Sequence, residues 1–136
     1  MTNGERADRL FREVRQIAGE MRRALLDEAW NLATRRSQEA LELAVKALLS
    51  EMSVDYPKTH DAVPVFARSI RARQIDVDAE ILASLAALSQ ELAGIRSPAF
   101  YQEVTVTEAQ ARAWVRGVEE ALHFAERLLA SLRGTT

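Results

Sequence analysis

Cysteine is absent from this chain of 136 residues, which excludes disulfides, thiolate nucleophiles and cysteine-ligated zinc or iron–sulfur centres. Histidine occurs only as His60 and His123, so a multi-histidine metal site within one chain is not expected, and no cofactor is called for. Neither sign of charge dominates: Lys+Arg 18 against Asp+Glu 20 gives a net charge of -2, without the broad cationic surface that drives duplex nucleic-acid affinity. Long hydrophobic runs are missing too. The most apolar stretch, ILASLAALSQELAG, meets Gln90 and Glu91 well before the roughly 20 residues a bilayer span needs. The start, MTNGERADRL, is charged and lacks the apolar region of a secretory signal, so a cytoplasmic protein without membrane contact is expected. Few breakers are present, Gly 5 and Pro 3, while 48% of residues are hydrophobic; this is the composition of a packed globular chain. One domain over residues 1–136 is expected, large enough to bury about two thirds of its unfolded surface.

The apolar residues recur by threes and fours, the period of amphipathic helices. Leu10, Val14, Ile17, Met21 and Leu25 predict a first helix over Arg6–Leu25. Ala33, Ser37, Ala40, Leu41, Ala44, Val45, Leu48 and Met52 predict a second over Asp27–Glu51, with a bend at Asp27 and that residue as N-cap. SVDYPKTH reads as a loop, because Pro57 biases Tyr56 away from the helical region. Thr59 can cap a short helix over His60–Arg71, with Pro64 in its first turn, where a proline costs little. Asp76 or Asp78 can cap an Ala/Leu-rich helix over Ala79–Gly94, closed by Gly94 and Pro98. YQEVTV is too short a β-branched run to make a sheet and reads as extended loop. Thr107 and Gln110 form a T-x-x-Q capping box, ahead of a last helix marked by Ala111, Trp114, Val118, Ala121, Leu122, Ala125 and Leu129 and ending near Leu132. The fold class is all-α, an up-and-down bundle of about five helices.

Two motifs carry a family resemblance. RRSQEALELAVKALLSEMSVDYPKTHDAVPVF contains Gln38, Ala40, Glu42, Lys46, Ala47, Leu48 and Leu49, and then Pro57, Lys58, Thr59, His60 and Asp61. It resembles the HEPN family of small prokaryotic helical domains, whose pattern runs Gln-x-Ala-x-Glu-x-x-x-Lys-Ala-Leu-Leu, a spacer, then Pro-Lys-Thr-His-Asp. The segment IRSPAFYQEVTVTEAQARAWVRGVEEALHFAERLL is similar to the family's close, in which an Arg-containing turn leads to a Tyr and a Thr-capped final helix. The resemblance covers about Arg6 to Leu132. It implies a homodimer with a cleft near Arg96, a minimal nucleotidyltransferase as partner (some members form toxin–antitoxin pairs) and a nucleotide held in the cleft. Lys46, His60, Arg96 and Tyr101 are the residues expected to contact that nucleotide.

A ribonuclease branch of the family uses an Arg-x4-6-His motif. Counting from Arg96, the histidine position falls near Tyr101, and a phenol with a pKa of about 10 is a feeble base at neutral pH. Arg116 and His123 have the spacing but lie two turns apart on one helix, roughly 10 Å along its axis. No catalytic residue is assigned. His60, in the first turn of a short helix, would feel a dipole that favours neutral imidazole, and it can equally fix the loop against the second helix. Lys46 can pair with Glu42 at i−4 or reach across the apolar stripe. Arg35, Arg36, Arg68, Arg71 and Arg73 read as a solvated face rather than an RNA track. The leading expectation is a non-catalytic, accessory HEPN-like protein; the alternatives are a metal-independent ribonuclease toxin with a divergent site and a purely structural interaction module.

Overall fold

A computed structural model describes residues 1–56, 58–100 and 104–134, with backbone alone at 97–100. Its five helices are α1 (Asn3–Leu26), α2 (Trp30–Glu51), α3 (Val63–Ala72), α4 (Ala79–Phe100) and α5 (Glu108–Leu132), and there is no strand among the described residues. The all-α expectation holds.

α2 is the central element. It pairs most extensively with α1 and also meets α5, α4 and α3. Both helices of the α1–α2 pair bury alanines, Ala7, Ala18 and Ala24 on one and Ala33, Ala40, Ala44 and Ala47 on the other, and small side chains let helix axes approach closely. At the far end of this antiparallel pair the Ser50 hydroxyl donates to the Asn3 carbonyl at 3.1 Å. Phe66, Ile70, Leu92 and Val118 close the core from α3, α4 and α5, each exposed by no more than 2%.

The caps at the helix starts agree with the sequence at two places. Thr107 and Gln110 form the reciprocal capping box on α5, and the Asp78 carboxylate accepts from the Glu80 N–H at 2.7 Å at the start of α4. A box of the same kind, Thr2 with Glu5, begins α1 three residues earlier than expected.

Three further boundaries differ from expectation. Asp27 is the C-cap of α1 and not the N-cap of α2, which begins at Trp30 after Ala29. The turn is a Schellman motif: Glu28 N–H donates to Leu25 O, Ala29 N–H donates to Ala24 O, and Glu28 takes φ 58, a left-handed conformation usually filled by glycine. α3 starts at Val63 rather than His60, and Thr59 does not cap it; the Asp61 carboxylate takes the Val63 N–H instead at 3.2 Å. α4 runs through Gly94 and Pro98 to Phe100. An interior glycine costs only about 1 kcal/mol relative to alanine, and the inward stripe of Leu85, Leu92 and Ile95 continues past Gly94 into the core.

YQEVTV is described only from Val104, and Val104–Val106 is irregular, as expected. Asn31 clasps it from both sides, its Nδ2 donating to Val104 O at 3.2 Å and its Oδ1 accepting from Val106 N–H at 3.1 Å. Val106 is thereby buried at 2% exposure.

Candidate functional site

Positions separated by four residues share a helix face, so α2 stacks Gln38, Glu42 and Lys46 in one column. The loop before α3 crosses that column. Glu42 gathers the contacts: Lys46 Nζ donates to Oε2 at 2.7 Å, Gln38 Nε2 donates to Oε1 at 2.8 Å, and His60 Nδ1 lies 2.8 Å from Oε1. A carboxylate only accepts, so Nδ1 of His60 carries the proton, and Nε2 is the ring nitrogen left for other partners. The Lys46 and Glu42 side chains are 12% and 16% exposed against 48% for His60, so His60 is the outward member.

Burial is the largest influence on the Glu42 carboxyl and pushes it up. The hydrogen bonds from Lys46, Gln38 and His60, with the charge of Lys46, together outweigh burial and hold the group below the ordinary carboxylate range. Gln38 is oriented by the same carboxylate, since exchanging its amide atoms would set its carbonyl against Glu42. Its Nε2 also reaches His60 O at 3.4 Å, while its buried Oε1 has no hydrogen-bond partner among the described residues. Tyr56 supplies a ring face 5.7 Å from Lys46 Nζ, within cation–π range.

The next residue turns the other way. Asp61 Oδ1 accepts from the Ser89 hydroxyl at 2.7 Å, and Ser89 is buried on α4. His60 thus ties the loop to α2 while Asp61 ties it to α4 and begins α3. Sequence reasoning missed Ser89 and Tyr56. The signal for Ser89 was a lone hydroxyl between Leu85 and Leu92 on the inward stripe of α4, where a buried donor demands a partner.

The expected site residues do not all meet. Lys46 and His60 converge on Glu42, as the pairing and loop-fixing readings require. His60 precedes α3 instead of sitting in its first turn, so the helix-dipole argument for it does not apply and the neighbouring carboxylate governs its surroundings. Arg96 is half-buried near the C-terminal end of α4. Tyr101 lies outside the described residues.

Arg116 and His123 are both exposed on α5. His123 lines a cleft of about 250 Å³ against α1, together with Arg15, Arg22, Glu119 and Glu126. Arg22 grips Glu119 there through Nε and Nη2 at 2.6 and 2.9 Å, a bidentate pair that raises the guanidinium pKa. Arg36 reaches Glu39 at 2.7 Å and Glu20 at 3.4 Å. Trp114 is 8% exposed and donates to Glu91 at 3.0 Å; Trp30 lies under the Arg112 guanidinium, 5.4 Å from ring centre to Cζ.

No curated protein and no solved structure matches the chain significantly. A family model for the HEPN domain matches residues 7–128, which takes in the Gln38–Glu42–Lys46 column, the KTHD loop and most of α5, and the chain belongs to the HEPN domain family.

Proposed function

We propose that this protein is a non-catalytic, accessory HEPN protein that works as a homodimer beside a nucleotidyltransferase, with a nucleotide held in the dimer cleft. The observation that carries the non-catalytic part is the Glu42 cluster. The Lys46 ammonium is matched to one carboxylate inside the chain, the His60 ring hydrogen-bonds the same carboxylate, and the cluster pins a loop between α2 and α4, which is the work of architecture. Metal-free RNA cleavage needs a base for the 2′-hydroxyl and a cation for the charge growing on the phosphate. A lysine held on a carboxylate is poorly disposed for the second task.

In this reading His60, Arg96 and Tyr101 contact the nucleotide, and Lys46 supports them by holding Glu42. The test is incubation of the purified protein with single-stranded and structured RNA in chelator, beside Arg96→Ala and His123→Ala variants. No cleavage above background in any of the three is expected. Robust cleavage abolished by either substitution would replace the accessory reading with a ribonuclease.

A further inference from the structure

α4 lacks the pattern of a surface helix. Of its residues 79–93 only Glu80 and Glu91 are charged, and its exposed positions include Ile81, Ala83 and Ala87. It runs antiparallel to α5: a Cβ on Gly117 would come within 3.2 Å of Leu88, and three residues on, Glu91 accepts from Trp114 at 3.0 Å. The close approach at Gly117 shuts one end of a groove of about 410 Å³, whose apolar floor is Ile81, Leu85, Leu88, Ala121 and Phe124. Pockets that hold small molecules measure about 300–1,000 Å³ and are floored in the same way, with a few polar groups set at the edge. From Leu88 back to Glu80 the groove extends about 12 Å along α4, away from Arg96.

Glu80, Glu120 and Arg127 line it, all three are exposed, and none forms an ion pair among the described residues. Glu80 lies in the first turn of α4, where the helix dipole already complements its charge. Glu120 and Arg127 have no such complement. Seven residues apart on one face of α5, they stand about 10 Å apart along its axis, with Phe124 between them.

A molecule that matches this rim carries an ammonium at one end, a carboxylate at the other and apolar surface between them. A free amino acid bears both charges on one carbon and is too short. An extended chain rises about 3.3–3.6 Å per residue, so two or three residues cover the span, and a guanidinium takes a terminal carboxylate through two parallel hydrogen bonds. We propose that the α4–α5 groove binds a short apolar peptide with free termini, its ammonium on Glu120, its carboxylate on Arg127 and its side chains on the floor around Phe124. This site is separate from the nucleotide and homodimer readings above and does not depend on them.

The experiment is a titration of the full, ¹⁵N-labelled chain with trileucine, followed by two-dimensional NMR, beside N-acetylated trileucine, trileucine amide and triglycine. Free trileucine should saturate and shift the amides of Leu85, Leu88, Ala121 and Phe124. Masking either terminus should weaken it at least about fivefold, and triglycine should not bind. Glu120→Gln should abolish the discrimination against the acetylated peptide alone, and Arg127→Gln the discrimination against the amide alone, with unchanged helical circular dichroism in both. No saturation at about 1 mM trileucine, or shifts confined to other helices, would overturn the site. Masked peptides that bind wild type as tightly as the free one would overturn the assignment of the termini, and so would variants that keep the wild-type preferences.

Discussion

Replacing Glu42 by glutamine keeps the side-chain size and removes the charge on which Lys46, Gln38 and His60 converge. The contact to Lys46 loses its ionic character although both side chains are mostly buried, at 16% and 12% exposure. Hydrogen bonds to charged groups contribute about 1.5–3 kcal/mol, and a fully buried cation stripped of its partner costs about 3–5 kcal/mol. His60 is nearly half exposed and recovers most of its share in water. The expected loss is therefore about 2 kcal/mol. At an unfolding entropy typical for a chain of this length, that lowers Tm by about 7 °C.

The pH dependence fixes the cause. Because the Glu42 pKa is depressed in the folded state, its stabilisation is fully present above the unfolded value of about 4.3 and is lost as pH falls through the lower folded value. Thermal unfolding followed by circular dichroism at neutral pH and again in strong acid should show a large gap between wild type and Glu42→Gln that closes in acid. A neutral-pH Tm within about 1 °C of wild type, where about 7 °C is expected, would refute the cluster as a structural device. So would a gap of the same size in acid.

Gln74 follows the C-cap of α3, Arg73, in a turn of the same kind as Glu28 after α1, with Gln74 N–H donating to Arg71 O and Ile75 N–H to Ile70 O. Glycine at either of these left-handed positions (φ 58 at Glu28 and 53 at Gln74) should stabilise by up to about 1 kcal/mol, read as a higher urea midpoint, and a lower midpoint at both would contradict the C-cap assignments. Arg133 bridges Asp8 at 2.8 Å, Glu51 at 2.7 Å and the Gly4 carbonyl at 3.1 Å, so Arg133→Ala should fray the joined ends of α1, α2 and α5. Screening at this partly exposed site limits the loss to about 1 kcal/mol, and molar salt should shrink it further; hydrogen exchange confined to those ends is the check. Asp61→Ala and Ser89→Ala should each destabilise, and the double variant should cost less than their sum, since the two groups share one hydrogen bond. Strict additivity would break the link between the loop and α4.

The period of the apolar residues was enough for five helices, because each buries one continuous stripe. Boundaries were legible where a side chain makes the cap, as at Thr107 and Asp78. They were hidden where backbone alone makes it. The α1–α2 turn closes through main-chain bonds around Glu28, and no glycine marks it. At Gly94 and Pro98 the opposite happened: local breakers were present, but the stripe through Leu92 and Ile95 held α4 together beyond them.

At the site, the column of Gln38, Glu42 and Lys46 follows from spacing alone, and the Glu42–Lys46 pair was within reach of that argument. That His60 fixes its loop against α2 was also within reach, but its partner Glu42 was not, since that depends on how an eighteen-residue separation in sequence is folded back on α2. The same holds for Arg22 and Glu119, paired across 97 positions.

If this HEPN protein acts through a partner and a nucleotide rather than by cutting RNA, as proposed, both should travel with it through purification. The most direct measurement is purification of the tagged, full chain from the cells that encode it, with mass spectrometry of the co-eluting protein and nucleotide analysis of the same eluate. The expected result is a stoichiometric small protein bearing a Gly-Ser-x-Asp-x-Asp nucleotidyltransferase motif, together with a bound nucleotide that is lost in the Arg96→Ala variant. A chain that elutes alone and free of nucleotide would contradict it.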